Sequence, residues 1–391
     1  MLARLFFKTN KKCLWKFIFN LGIKGIRGVN KFKKKINENK FFPAFHFISV
    51  TDDCNLKCQG CWVTGKKQNN RLSPEILNRI ITETKAAGSY FFGILGGEPL
   101  LYKHLFDIFN KHSDCYFLLF TNGTLLNEDV ACKLRMCANV SPLISFEGNE
   151  SVADIRRGGK NIYNLTNRAI SAAANAGLIT GIAMSVCKSN LNLALSPEFI
   201  QTLIKKGVIY LWYYIYRPVG ENASVELCLS KEEIEKLHMF IVEARSKFDI
   251  VIIDAYWDGS GKGFCPAVSG LSHHINSSGY IEPCPVIQFS TDNVIEDSLI
   301  NIYNSSSFLK EFKKEVPKIT NGCIIMENPE WLASFVEEHK ATDTSGRDNE
   351  LERLKSACKV YSHASGKIVP EKKALYKFAK KYSFFGFGAY G

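Results

Sequence analysis

The period of the hydrophobic positions changes near residue 44. Before that point Leu14, Phe17, Ile18 and Leu21 recur at i, i+3, i+4 and i+7, the spacing of one helical face. Gly22, Gly25 and Gly28 are expected to end or break that helix. After it, short β-rich runs alternate with helical patterns. Strands are expected over 45–50, 90–95, 116–120, 143–146, 180–186 and 208–216. Helices are expected between them over 73–88, 105–112, 128–136, 162–176 and 197–206. Ser73 is the expected N-cap of the first of these, with Pro74 at its first position and Gly88 at its end. Six β–α units predict a parallel sheet, in which site residues gather at the C-terminal ends of the strands. Beyond residue 220 the pattern reads helix (230–247), short β-rich run (249–253), a strand–Gly-turn–strand ending near 284, and helix (297–312). These changes divide the chain into an arm (1–43), a core (44–220), a further region (221–330) and a C-terminal helical and tail segment (331–391). The glycine-rich end, Ser383 to Gly391, opposes a helix; a partly disordered terminus is expected, or a tail that covers a groove.

Composition adds two facts. The chain has 391 residues, 46% hydrophobic and 23% charged, ordinary values for a globular protein. Its net charge of +12 is local: residues 1–40 hold 12 Lys and Arg against the single acid Glu38, which leaves +1 for the rest. Lys8, Lys11, Lys12, Lys16 and Lys24 surround the apolar face of the arm, and Phe6, Trp15 and Phe19 add aromatics. No apolar run approaches the roughly 20 residues of a bilayer span. No signal-peptide cleavage site follows it. Such an arm suits either a peripheral contact with an anionic membrane face or packing on the core. A nucleic acid is not expected as a partner.

The 13 cysteines form no dense disulfide framework, which points to a reducing cytoplasm and to metal ligation. Three of them, Cys54, Cys58 and Cys61, stand at C-x3-C-x2-C spacing directly after the first expected strand. Soft thiolates suit an iron–sulfur cluster. A closed zinc site needs four ligands, and only the upstream His46 lies near. Gly96-Gly97-Glu98-Pro99 follows the second strand. Thr121-Asn122-Gly123 closes the third strand, Ser145 and Glu147 the fourth, and Ser185 the fifth.

Together these motifs resemble the radical S-adenosylmethionine (SAM) superfamily. The resemblance implies a partial (β/α)6 TIM-like barrel in an α/β fold. It implies a [4Fe–4S] cluster held by Cys54, Cys58 and Cys61, whose open iron chelates SAM. The Gly96–Pro99 motif would contact the SAM amino group, Trp62 the adenine, and Thr121, Asn122, Ser145 and Ser185 other parts of SAM. Arg156, in the segment Asp154 to Gly158, would contact SAM or cap a helix. An external donor of flavodoxin or ferredoxin type would supply the electron that cleaves SAM to a 5′-deoxyadenosyl radical. No residue is singled out as a catalytic acid or base.

Further on, Cys265, Cys284 and Cys323 sit in a context that resembles the SPASM or twitch extension of that superfamily, which implies an auxiliary [4Fe–4S] cluster. Cys358, a non-cysteine group or the substrate would complete its ligands. His273-His274 is expected in the hairpin loop, and Asp254, Tyr256 and Asp258 precede Cys265 as groups that could face substrate. Two substrate classes stay open, a peptide or protein and a membrane lipid. The alternative of another class is a non-catalytic iron–sulfur electron-transfer or interaction protein, against which the Gly-Gly-Glu-Pro motif argues.

Overall fold

The structure is a computed structural model and describes residues 2–38 and 41–382. Its main strands are β1 (Phe45–Ser49), β2 (Phe91–Leu95), β3 (Tyr116–Thr121), β4 (Val140–Ser145), β5 (Gly181–Val186), β6 (Tyr210–Ile215), β7 (Val251–Ile253), β8 (Ser272–Ile275) and β9 (Ile281–Glu282). They form one nine-stranded sheet in the order β7-β6-β5-β4-β3-β2-β1-β8-β9. Every neighbouring pair from β7 across to β8 is parallel, and only β9 runs antiparallel. Helices cover one face, and aromatic rings crowd the other. The strands are therefore apolar on both faces, as parallel strands are. All five residues of β2 are buried.

Local sequence explains the helices. In Pro74–Ala86 the Ser73 hydroxyl accepts the amide of Ile76, and Pro74 occupies the first turn, where its missing N–H costs nothing. Lys231–Lys247 opens on a capping box made by Ser230 and Glu233.

The sheet runs past the six expected strands at both edges, beyond β6 on one side and beyond β1 on the other. The short run near 251 pairs with β6 through Tyr210 and Val251. The glycine hairpin docks on β1 through Phe45 and Ser272. This corrects the placement of His273 and His274. Both are buried on β8, where backbone pairing to β1 fixes them, and neither is in the hairpin loop. His274 bridges Ser49 (2.8 Å) and Glu282 (2.6 Å). The expected helix 297–312 is two helices, Leu299–Ser305 and Ser307–Ile319, because the Ser306 hydroxyl caps the second by accepting the Leu309 amide.

The arm is helical apart from a break at Thr9 and Asn10, which caps the second helix: Leu2–Lys8, Lys11–Lys16, a π-helical segment Phe17–Ile23, and Lys24–Asn37. The glycines do not break it. Gly25 and Gly28 lie with Val29 and Phe32 on its buried face. The wider π turn also alters the expected stripe: Leu14 and Leu21 are buried while Ile18 is 39% exposed.

The arm crosses the sheet at the N-terminal ends of the strands. Arg4 donates to the carbonyls of Val208 and Asp249, just before β6 and β7. The amide of Asn10 donates to Gly177 ahead of β5, and the Asn20 side chain to Cys115 ahead of β3. Lys35 reaches Ala87 ahead of β2. The C-terminal helix Ala374–Tyr382 packs beside Lys24–Asn37. Residues 383–391, where a tail was expected, lie outside the described residues. No helix among the described residues is long and apolar enough to cross a membrane.

Candidate active site

At the opposite, C-terminal end of the strands lies a cavity of about 610 Å³. Both cysteine triads line it: Cys54, Cys58 and Cys61 from the loop after β1, and Cys265, Cys284 and Cys323 from the extension. Within the barrel it is bordered by Phe47, Phe120, Trp212 and Tyr214. Trp212 stacks on Tyr214 at 5.1 Å between centroids, and Phe47 meets Phe120 edge-on at 5.8 Å.

The first cysteine loop is clamped on two sides. On one side the Gly96-Gly97 turn lies against residues 51–53. The Gly97 amide donates to Thr51 (2.7 Å) and the Glu98 amide to Asp53 (2.7 Å). A side chain at Gly97 would collide with the carbonyls of Asp52 and Asp53, so only glycine allows this approach. On the other side the Gln59 amide donates to the Arg156 carbonyl (2.9 Å). Gly158, with φ of 60°, ends the helix Glu150–Arg157 in the left-handed conformation, and a Cβ there would meet the Lys57 carbonyl.

Each triad carries N–H donors near sulfur. Asn122 Nδ2 is 4.0 Å from Cys54 Sγ, and Arg157 is 3.7 Å from Cys58 Sγ. Arg217 Nε is 3.1 Å from Cys323 Sγ. Glu147 holds Arg157 (2.6 Å) and Arg156 (3.5 Å) in place. Burial pushes the thiols up: Cys265 to about 12, with Cys323 adding to the shift, and Cys58 upward against the pull of Arg157. Ligation to iron would release those protons, and the donors would then face sulfur anions.

The residues fit iron–sulfur clusters by their donor chemistry: each triad presents three thiols to one cavity, and a soft, all-sulfur set suits iron of a [4Fe–4S] cube. The buried indole N–H of Trp62, on the cavity wall, has no hydrogen-bond partner among the described residues and can serve a bound molecule.

The remaining expected residues divide. Gly96, Gly97, Trp62, Thr121, Asn122, Ser145 and Ser185 all line the cavity. Glu98 and Pro99 are not on its wall: Pro99 opens a short 3-10 turn, and the Glu98 carboxylate is fully buried behind it. That carboxylate accepts from the Asn122 amide (2.7 Å), the Thr121 hydroxyl (2.8 Å) and the Leu100 amide (3.1 Å). Burial pushes Glu98 up to about 7, although all three donors favour the charged form. Glu98 thus ties the β2 loop to the end of β3. Glu98→Ala is expected to lower stability by about 2–4 kcal/mol, because it orphans buried donors. A thermal melt checks this; a melting point equal to wild type contradicts the tie.

Three further expectations are corrected. Asp254 does not face a substrate but is buried against Arg245 and Lys380. Asp258 accepts backbone amides of its own turn, from Ser260 and Lys262. Cys358 is exposed and off the cavity wall, so it is not placed as a fourth ligand. Arg156 lies over the Tyr216 ring at 4.7 Å, and Tyr256 lines the cavity beside Arg217. Sequence reasoning missed Arg157, Arg217 and Arg347. Arg347 donates to the Trp62 carbonyl (2.9 Å) from 285 residues away. A lone arginine carries no spacing signal that would have revealed it.

Residues 48–192 match the family model of the radical SAM superfamily. The chain is 28% identical over 295 residues to the mycofactocin maturase MftC of Mycolicibacterium smegmatis, covering 70% of this chain and 73% of that one. It is 23% identical over 280 residues to the sporulation killing factor maturation protein SkfB of Bacillus subtilis, covering 70% and 67%. Its fold matches the crystal structure of SuiB from Streptococcus suis bound to SAM, with a TM-score of 0.62 and 17% identity over 73% of this chain and 71% of that one. A [4Fe–4S] cluster and SAM are the cofactors of this kind of enzyme. Residues 48–192 thus match the radical SAM superfamily, and the chain is similar over about 70% of its length to enzymes of that superfamily that carry a SPASM/twitch-type C-terminal extension.

Proposed function

We propose that this enzyme modifies a peptide by hydrogen abstraction in the cavity that both cysteine triads line. That shared cavity is the observation that carries the reading. Cys54, Cys58 and Cys61 hold the cluster that meets SAM, and Cys265, Cys284 and Cys323 hold an auxiliary cluster. When bound, the first cluster supplies the electron that cleaves SAM to methionine and a 5′-deoxyadenosyl radical.

The chain's own residues do the rest. Gly96 and Gly97 bring backbone to the cavity wall beside the cysteine loop, and Trp62, Ser145 and Ser185 offer polar contacts around it. Phe47, Phe120, Trp212 and Tyr214 exclude water from a radical. Arg217 and Tyr256 line the cavity beside Cys323, joined at 2.9 Å, where they can orient a substrate carbonyl or carboxylate. The division of the chain into an arm, a core ending near 220 and an auxiliary-cluster region follows the same roles.

Relatives support a peptide substrate. SkfB is a maturation protein, and SuiB has also been solved with its precursor peptide SuiA. The place of the arm weighs against a lipid substrate. It lies at the N-terminal strand ends, and the cavity opens at the other end, about 20 Å away for a six-residue strand. A lipid held at the arm would not reach the radical.

The test is anaerobic turnover of reconstituted enzyme with SAM and dithionite, with either a cellular peptide fraction or a lipid extract. The peptide fraction is expected to raise 5′-deoxyadenosine above the uncoupled background and to yield a mass-shifted peptide. Stimulation by the lipid extract alone would overturn the peptide reading.

A further inference from the structure

We infer that the outer face of the N-terminal arm is a docking surface for an anionic lipid bilayer. The arm uses its inner face on the barrel, through Leu14, Leu21, Val29 and Phe32. Its outer face keeps large apolar groups in solvent: Phe7 is 89% exposed, Trp15 63% and Phe6 55%. Ile23 and Ile26 continue the row at 41% and 39%. Folding alone gives no reason for this row, since the arm already has an inner side to bury.

Charge identifies the partner. Lys8, Lys11 and Lys12 are exposed around the aromatics, and the arm has no acid before Glu38. Beside it the helix Ala374–Tyr382 exposes Leu375 at 57%, with Lys372, Lys373 and Lys377 around it. Two copies of this face would repel each other. Phosphate tracking by a nucleic-acid binder would need the lysines but not the aliphatic Ile23, Ile26 and Leu375. Apolar side chains ringed by lysines match acyl chains beneath acidic headgroups. Trp15 stacks on Phe19 at 5.8 Å, a flat pair of the kind that settles at a headgroup boundary. The site cavity, at the other end of the strands, would then face water and stay open to a peptide.

Flotation of the full-length, anaerobically reconstituted protein tests this. The vesicles are phosphatidylcholine alone or with about one third phosphatidylglycerol. Wild type is expected to float with the anionic vesicles, less so as salt is raised. A Phe7→Ser, Trp15→Ser double variant is expected to partition at least about tenfold more weakly. Lys8, Lys11 and Lys12 changed together to Gln should cost about as much. These side chains are exposed, so melting point and SAM cleavage should match wild type in both variants. Wild type that stays unbound overturns the inference, and so does a Phe7→Ser, Trp15→Ser variant that floats like wild type. So does binding to single-stranded RNA in place of vesicles.

Discussion

Arg245→Leu is expected to destabilise the fold by about 3–5 kcal/mol, the cost of breaking a buried ion network. Arg245 is fully buried at the end of the helix Lys231–Lys247. Its guanidinium donates to the Ile252 carbonyl on β7 (2.9 Å), to Glu371 (2.6 Å) and to Asp254. Lys380, also buried, reaches Asp254 at 3.4 Å and the Trp257 carbonyl at 2.6 Å. The arginine thus joins the helix, the sheet edge and the C-terminal segment. Leucine removes the hub and strands two carboxylates with one lysine. The network also sets an acid limit. Burial alone would raise Asp254, but Lys380 and Arg245 more than offset it and hold it well below the usual carboxylate range. A depressed carboxyl contributes stability above its unfolded value, near pH 4, and loses it as pH falls further. Thermal melts between pH 7 and pH 3 check both points. A large loss in the variant at pH 7 is expected, with a shallower acid decline than wild type. Equal melting points would refute the network.

Cys58→Ala is expected to end SAM cleavage while leaving the fold intact. The loop around Cys58 is held by backbone contacts at Gln59 and Lys57 that do not use the thiol. The lost group is a soft ligand beside the Arg157 donor. Without it the proposed cluster would lack one of its three thiolates. Cys358→Ala is the control. Cys358 is exposed and away from the cavity, so iron content and cleavage should both match wild type. Formation of 5′-deoxyadenosine, followed by chromatography, reads both variants. Activity retained in Cys58→Ala, or lost in Cys358→Ala, would put the ligands elsewhere.

Much of this was legible in the sequence because it is local. Spacing alone places Cys54, Cys58 and Cys61 on one loop, and βα alternation places that loop at the C-terminal end of β1. The Ser73–Pro74 helix start and the Gly-Gly turn after β2 are equally local. What stayed hidden depends on long-range packing. β7 and β8 are short runs that join the sheet only by pairing with β6 and β1. Glu98 reads as a ligand by its motif, yet its carboxylate turns inward because three buried donors from β3 and its own turn claim it. His273 and His274 read as loop because their run is flanked by serine and asparagine, and tertiary pairing overrides that signal. The arm's pattern gave a helix but not its seat across the strand ends, since a helical face records burial and not the partner.

The most direct test is the iron and sulfide content of anaerobically reconstituted protein, in wild type and in two variants. One variant replaces Cys54, Cys58 and Cys61 with alanine, and the other Cys265, Cys284 and Cys323. Two cubes in one cavity predict about eight irons in wild type and about four in each variant. SAM cleavage should persist only where the first triad remains. About four irons in wild type, all lost with the first triad, would leave the extension without a cluster. Zinc in place of iron would contradict the central assignment altogether.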